Sequence, residues 1–183
     1  HYTELVPKGF VEVKGCPMII HSIETLISCG IERIVIGTGY KKEVYEALKD
    51  KYPQIECCYS PRYAETNSMY TLYNSREAIG LDDFLLLESD LIFEKKAISS
   101  LLTCEKPDVM LISSLTKFQD QYFVEYDINH VLTNCSVKEE ELEVKGELVG
   151  IHKISNSFYR QMCIDYERIV EEKPKLGYEY ELL

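Results

Sequence analysis

Four apolar residues, Phe84-Leu85-Leu86-Leu87, run directly into Glu88-Ser89-Asp90. A strand buried on both faces reads as a continuous apolar run, and one that ends on acids sets them at its carboxyl end, where open α/β sheets bind their ligands. Carboxylate oxygens there suit Mg²⁺, a hard cation that takes one or two protein carboxylates and fills its other positions with water and substrate phosphate oxygens. Asp90, with Glu88 beside it, is the candidate ligand; the competing reading is that the two acids cap the next helix or solvate a loop. Lys8 is the second candidate, held between Pro7 and Gly9 ahead of a short strand and turn. A lysine beside phosphate offsets the charge that gathers on oxygens during phosphoryl-type transfer, where catalysis is mostly positioning and electrostatics. The alternative is a solvated surface lysine. No Ser/His/Asp or Cys/His constellation for nucleophilic catalysis stands out.

Positioning these side chains requires regular elements, and the apolar spacing supplies them. Positions 19, 20, 23, 26 and 27 follow helical spacing between Pro17 and Gly30, and Ile34-Val35-Ile36 is a short β-branched run closed by Gly37-Thr38-Gly39. The spacing predicts further helices over 41–50, 67–79 and 95–102, and strands over 55–59, 84–87 and 109–113. Alternation at this interval predicts a mainly parallel sheet covered by helices on both faces. After residue 114 the pattern turns strand-rich. Segments 122–126 and 131–133 flank Asp127-Ile128-Asn129-His130 as a hairpin, 146–154 reads as a return strand, and helical spacing resumes over 156–172.

Length and charge narrow the class. The chain has 183 residues, 45% of them hydrophobic, which suits one compact domain. No stretch approaches the roughly 20 apolar residues of a membrane span. A net charge of −11 without a Lys/Arg block argues against nucleic acid as a partner. Seven cysteines, spaced without a C-x-x-C pair, point to a reducing compartment, and the cytoplasm is the expectation.

The stretch P-K-G-F-V-E-V-K-G-C-P-M-I, followed by S-I-E-T-L, I-V-I-G-T-G-Y, Y-A-E-T-N-S-M-Y-T-L-Y, D-D-F-L-L-L-E-S-D-L-I-F-E and G-E-L-V-G-I-H-K-I-S, resembles the nucleotidyltransferases that include phosphocholine and 2-aminoethylphosphonate cytidylyltransferases. The likeness covers nearly the whole chain. It implies a Rossmann-like α/β fold of the nucleotide-diphospho-sugar transferase type with a small β-rich insertion. It also implies transfer of CMP from CTP to a small phosphorylated or phosphonate amine, with Mg²⁺ as cofactor. Carried over by position, Lys8 matches the phosphate-contacting lysine and Asp90 the metal-binding aspartate. Gly39, Asn67, Ser68 and Glu88 fall on the nucleotide side, although Thr66 or Asn67 could equally cap a helix. Glu147, Tyr178 and Glu179 fall where relatives face the acceptor, and aromatic faces with carboxylates suit a cationic amine.

The resemblance is incomplete at both ends. Family members begin with a strand and a glycine-rich L-A-A-G-x-G-x-R-L loop, and end on a strand whose acid completes the metal site. This sequence starts after the first and stops at Glu181-Leu182-Leu183, so residues 1–183 are expected to form a single domain lacking both segments, which the protein itself is expected to possess. Two other enzyme readings remain, a sugar-1-phosphate nucleotidyltransferase and a nucleotide-sugar glycosyltransferase using Glu88-Ser89-Asp90. A reading of another class is a silent nucleotide-binding module of a larger fused protein.

Overall fold

The computed structural model describes residues 6–116 and 122–170. A 3-10 turn at Lys8–Phe10 enters a hairpin of β1 (Glu12–Val13) and β2 (Cys16–Pro17), then α1 (Met18–Ser28), β3 (Ile34–Thr38), α2 (Lys42–Glu46), β4 (Ile55–Tyr59), α3 (Ser68–Asn74) and α4 (Arg76–Ile79). There follow β5 (Phe84–Leu87), α5 (Lys95–Thr103), β6 (Val109–Ser113), β7 (Phe123–Tyr126), β8 (Leu132–Ser136), β9 (Gly146–Ile154) and α6 (Asn156–Val170). Two predicted helices are interrupted. The 41–50 segment tightens after α2 into a 3-10 turn at Ala47–Asp50. The 67–79 segment divides at Ser75, whose hydroxyl donates to the Thr71 carbonyl at 2.9 Å, the back-bonding by which serine bends helices.

Strand pairing is mixed. β3 and β4 run parallel, with Ile34 opposite Ile55 and Thr38 opposite Tyr59. The larger sheet is built around β9, which pairs antiparallel with β6 along one edge and with β5 and β7 along the other, β8 lying outside β7. β5 and β6 therefore point the same way, as the alternation predicts, but β9 returns between them in the opposite sense. A fully buried apolar run has the same composition in either pairing. Its neighbours are set by tertiary contacts that the local pattern does not contain.

Helices cover both faces. On one, Ile19 and Ile23 of α1 and Tyr45 of α2 pack on Ile36 and Ile55, while Leu26, Ile98 and Leu101 pack on Ile151. On the other, Met69, Leu72, Ile79, Tyr159, Met162 and Tyr166 enclose Ile154 with Phe84 and Leu86. Ile23, Ile98 and Ile151 are 0–1% exposed, and full burial of such a side chain contributes roughly 1.5–3 kcal/mol. Leu85 and Leu87 point to the first face and Leu86 to the second, so β5 is gripped from both sides and its acidic end is held in place. None of the helices among the described residues is long and apolar enough to cross a membrane.

Candidate active site

Lys8 is carried by a turn that the sequence closes on itself. The Phe10 amide donates to the Pro7 carbonyl at 2.9 Å and the Val11 amide to the Lys8 carbonyl at 3.0 Å, while the Met18 amide ties α1 to Val11 at 3.0 Å. Gly9 is buried, and a Cβ there would lie 2.9 Å from the Ser89 carbonyl oxygen. Only glycine lets this turn press against the loop after β5. The result is a corner in which Lys8 Nζ lies 3.8 Å from Asp90 Oδ2, the two side chains 74% and 30% exposed. An ion pair this open contributes about 0–1 kcal/mol to stability. The two charges are brought together by the fold and are little committed to each other.

The Asp90 loop is fastened from two directions. The Glu88 amide donates to the Gly150 carbonyl at 3.1 Å, and the hydroxyl of buried Ser22 in α1 donates to the Leu91 carbonyl at 3.2 Å. Tyr45 of α2 lies near this loop. Burial holds the Tyr45 phenol above its usual pKa, the Ser89 side chain opposing the effect and the charge of nearby Asp90 adding to it. Gly150 has φ +77°, and a Cβ on it would meet the Glu88 carboxyl carbon at 2.8 Å, so Glu88 rests against the backbone of β9. Ser22, Tyr45, Ser89 and Gly150 were not singled out by sequence. Gly150 alone carried a signal, as an isolated glycine within a strand pattern marks a bulge or a close approach.

At Gly39 the close neighbour is protein. A Cβ there would lie 2.6 Å from Cβ and Cγ of Tyr63, so the glycine admits the tyrosine of the 60–67 loop against the end of β3. That loop is turned by Tyr63 N–H to Ser60 O at 3.2 Å and Glu65 N–H to Arg62 O at 2.9 Å. Thr66 donates its hydroxyl to the Arg62 carbonyl at 2.7 Å. Asn67 precedes α3 in extended conformation and makes no side-chain cap. The buried Ser68 hydroxyl has no hydrogen-bond partner among the described residues. Neither Thr66 nor Asn67 therefore caps α3, and polar groups at its start remain uncommitted.

Glu147 is a different kind of carboxylate. It is 4% exposed; Oε1 accepts the Thr116 amide at 2.6 Å and Oε2 the Thr116 hydroxyl at 2.7 Å. It ties the chain leaving β6 to the start of β9, and no open carboxylate is presented there. Tyr178 and Glu179 lie outside the described residues. Among the described residues no cluster of three or more His, Cys, Asp or Glu could hold a metal ion. Asp90 alone still fits Mg²⁺, which needs few protein ligands when phosphate oxygens are present.

The fold is that of solved nucleotidyltransferases of the nucleotide-diphospho-sugar transferase type. The chain belongs to the MobA-like NTP transferase domain family, whose model matches residues 3–154. It is 30% identical over 96 residues to a 2-aminoethylphosphonate cytidylyltransferase of Lancefieldella rimae, covering 52% of this chain and 39% of the relative. It is 39% identical over 77 residues to a choline-phosphate cytidylyltransferase of Streptococcus pneumoniae, covering 42% of this chain and 33% of the relative. The chain thus spans well under half the length of these two relatives. Sugar-1-phosphate nucleotidyltransferases are also among its relatives. The fold is shared with the inositol-1-phosphate CTP transferase of T. maritima, with a TM-score of 0.78 at 14% identity over 95% of this chain and 70% of the other.

Proposed function

We propose that this domain transfers CMP from CTP to a small phosphorylated or phosphonate amine, phosphocholine or 2-aminoethylphosphonate, and releases pyrophosphate. The observation that carries the reading is the corner in which a lysine ammonium and a strand-end carboxylate stand 3.8 Å apart, both open to solvent. An acceptor oxygen, already anionic at neutral pH, attacks the α-phosphorus of CTP; the new P–O bond forms as the bond from the α-phosphorus to the oxygen bridging the α- and β-phosphates breaks. No general base is needed, because the nucleophile carries no proton to remove. Lys8 neutralises charge on the phosphate oxygens as it shifts toward pyrophosphate. Asp90 would hold Mg²⁺, which when bound supplies charge neutralisation and orients the triphosphate.

Asn67 and Ser68 are the nucleotide-side donors and acceptors of this reading, supported by their uncommitted polar groups. Gly39 acts through Tyr63, which it allows to close the 60–67 loop. Glu88 lines the phosphate side against Gly150. Glu147 acts on the acceptor side through Thr116, by fixing the wall where β6 ends; Tyr178 and Glu179 are proposed as acceptor contacts from the resemblance alone. Residues 1–183 are taken as one domain of a protein working in the cytosol, in keeping with its spaced thiols. The test is pyrophosphate release by the intact protein with Mg²⁺ and CTP, comparing phosphocholine, 2-aminoethylphosphonate and glucose 1-phosphate. Turnover with one amine upholds the reading. Turnover with the sugar alone transfers it to the sugar-nucleotide branch, and silence with all three leaves a nucleotide-binding module.

A further inference from the structure

The first turn of α1 meets both arms of the corner. Met18 opens the helix, and its amide, one of the four that a helix start leaves without a partner inside the helix, donates to the Val11 carbonyl at 3.0 Å. The Val11 amide in turn donates to the Lys8 carbonyl at 3.0 Å, so the lysine turn is tied to the start of α1. One helical turn further on, at the i+4 position that shares a face with Met18, Ser22 donates its hydroxyl to the Leu91 carbonyl at 3.2 Å. Leu91 follows Asp90 directly. A serine inside a helix commonly bonds back to the carbonyl four residues before it; this one, 6% exposed, reaches a loop 69 positions away. Gly9 lies between the two ties: a Cβ on it would stand 3.4 Å from Cβ of Ile19 and 2.9 Å from the Ser89 carbonyl oxygen. Neither arm belongs to a long regular element, since Lys8 sits on a three-residue turn and Asp90 follows the last residue of β5 by three positions. The Glu88 amide anchors the loop before Asp90, and the Ser22 hydroxyl anchors it after.

We propose that Ser22 is a positioning residue: its bond to Leu91 keys the Asp90 loop to the same turn of α1 that holds the Lys8 turn, and so fixes the separation of the two charges. The proposal rests on the corner being the site of nucleotidyl transfer, but the tie can be tested without metal or nucleotide. Misplacement by about 1 Å costs roughly 100-fold in rate when catalysis is mostly positioning. Loss of one hydroxyl that acts through a neighbouring carbonyl should be milder.

Ser22→Ala removes the donor and little volume. Ser155→Ala is the control: Ser155 is buried, its hydroxyl donates to the Asp108 carboxylate at 3.1 Å and accepts the Phe158 amide at 3.2 Å, and it follows Ile154, which pairs with Phe84 at the opposite end of β5. In the intact, metal-free protein, backbone amide exchange over residues 89–92 is expected to quicken in Ser22→Ala and to keep the wild-type rate in Ser155→Ala. With CTP and an acceptor, Ser22→Ala should need about tenfold more Mg²⁺ for half-maximal turnover, the low end of what losing a group that orients a metal ligand costs. Its kcat should fall by a similar factor with KM for the acceptor unchanged. Ser155→Ala should keep the wild-type Mg²⁺ requirement while lowering Tm at least as much. Wild-type exchange over residues 89–92 in Ser22→Ala overturns the tie. A Mg²⁺ requirement that both variants shift alike, or that neither shifts, overturns the positioning role. Should Ser22→Ala not fold, Ser22→Cys, close in shape with a weaker donor, must show both changes in the same direction, and wild-type behaviour in it overturns the proposal. If the wild-type protein performs no transfer with any acceptor, the functional reading fails and exchange decides alone: faster exchange over residues 89–92 in Ser22→Ala upholds the tie, and the wild-type rate overturns it.

Discussion

The corner after β5 and the central strand β9 both hold ionisable side chains, and they treat them in opposite ways. Asp90 and Lys8 remain 30% and 74% exposed at 3.8 Å. Glu147 and His152 on β9 are 4% and 2% exposed. Glu147 gives both carboxylate oxygens to Thr116, whereas neither ring nitrogen of His152 has a hydrogen-bond partner among the described residues. Burial pushes the His152 pKa down to about 4. A charge left open and half-satisfied is available to exchange its partner for a substrate group. A buried group has already exchanged water for protein, and its removal is felt in stability. On the proposed reading the open charges of the corner meet substrate, whereas the polar side chains of β9 are already committed or buried; Asp90 was singled out as a candidate from its place at the strand end and Glu147 from the resemblance.

The contrast breaks most readily at Asp90. Asp90→Asn is expected to lower CMP transfer by about 100-fold or more while changing stability by no more than about 0.5 kcal/mol, as for an exposed substitution; steady-state kinetics beside thermal melting reads both. On β9 the largest effect is on acid stability. The unfolded chain takes up a proton on this histidine near pH 6.5, whereas the folded chain resists it until about 4. Protons therefore favour the unfolded chain across that window. Stability contributed by the neutral ring is full above about pH 6.5 and falls as pH approaches 4, by about 3 kcal/mol. Urea unfolding of His152→Leu at several pH values should show that slope removed; an unchanged slope would mean that the histidine is not the responsible group.

Glu147→Gln sharpens the contrast from the other side. It keeps the shape but weakens the tie to Thr116, at a cost of about 1–3 kcal/mol, equivalent to about 2–4 °C of Tm per kcal/mol for a chain of this size. If Glu147→Gln instead left Tm unchanged and raised KM for the acceptor alone, Glu147 would belong with the corner. The smallest effect is at Lys8. Lys8→Ala should cost about tenfold in turnover, a hydrogen bond to a charged group being worth about 1.5–3 kcal/mol, with no change in Tm because the side chain is so exposed.

Much of the fold was legible in the chain. Apolar spacing located β4, β5, β6 and β9 at their observed bounds and α1 between Pro17 and Gly30, because burial imposes those periods. The order β5-β9-β7-β8 was not legible, since Phe84-Leu85-Leu86-Leu87 is equally apolar beside a parallel or an antiparallel neighbour. The Lys8–Asp90 pairing could be anticipated by resemblance, but the contacts that create it could not. Nothing in the local sequence of α2 says that Tyr45 meets Phe10, and a glycine at position 39 reads the same whether a ligand or Tyr63 approaches it. Glu147 is a related case: its residue type permits substrate contact, and only the position of Thr116 shows that both its oxygens accept from that residue.

The most direct test of the corner's role is calorimetric titration of CTP into the intact protein and its Asp90→Asn and Glu147→Gln variants, each with and without Mg²⁺. The account predicts that Mg²⁺ tightens CTP binding to the wild-type and Glu147→Gln proteins and that Asp90→Asn abolishes the tightening. Mg²⁺-dependent binding that survives intact in Asp90→Asn would contradict it.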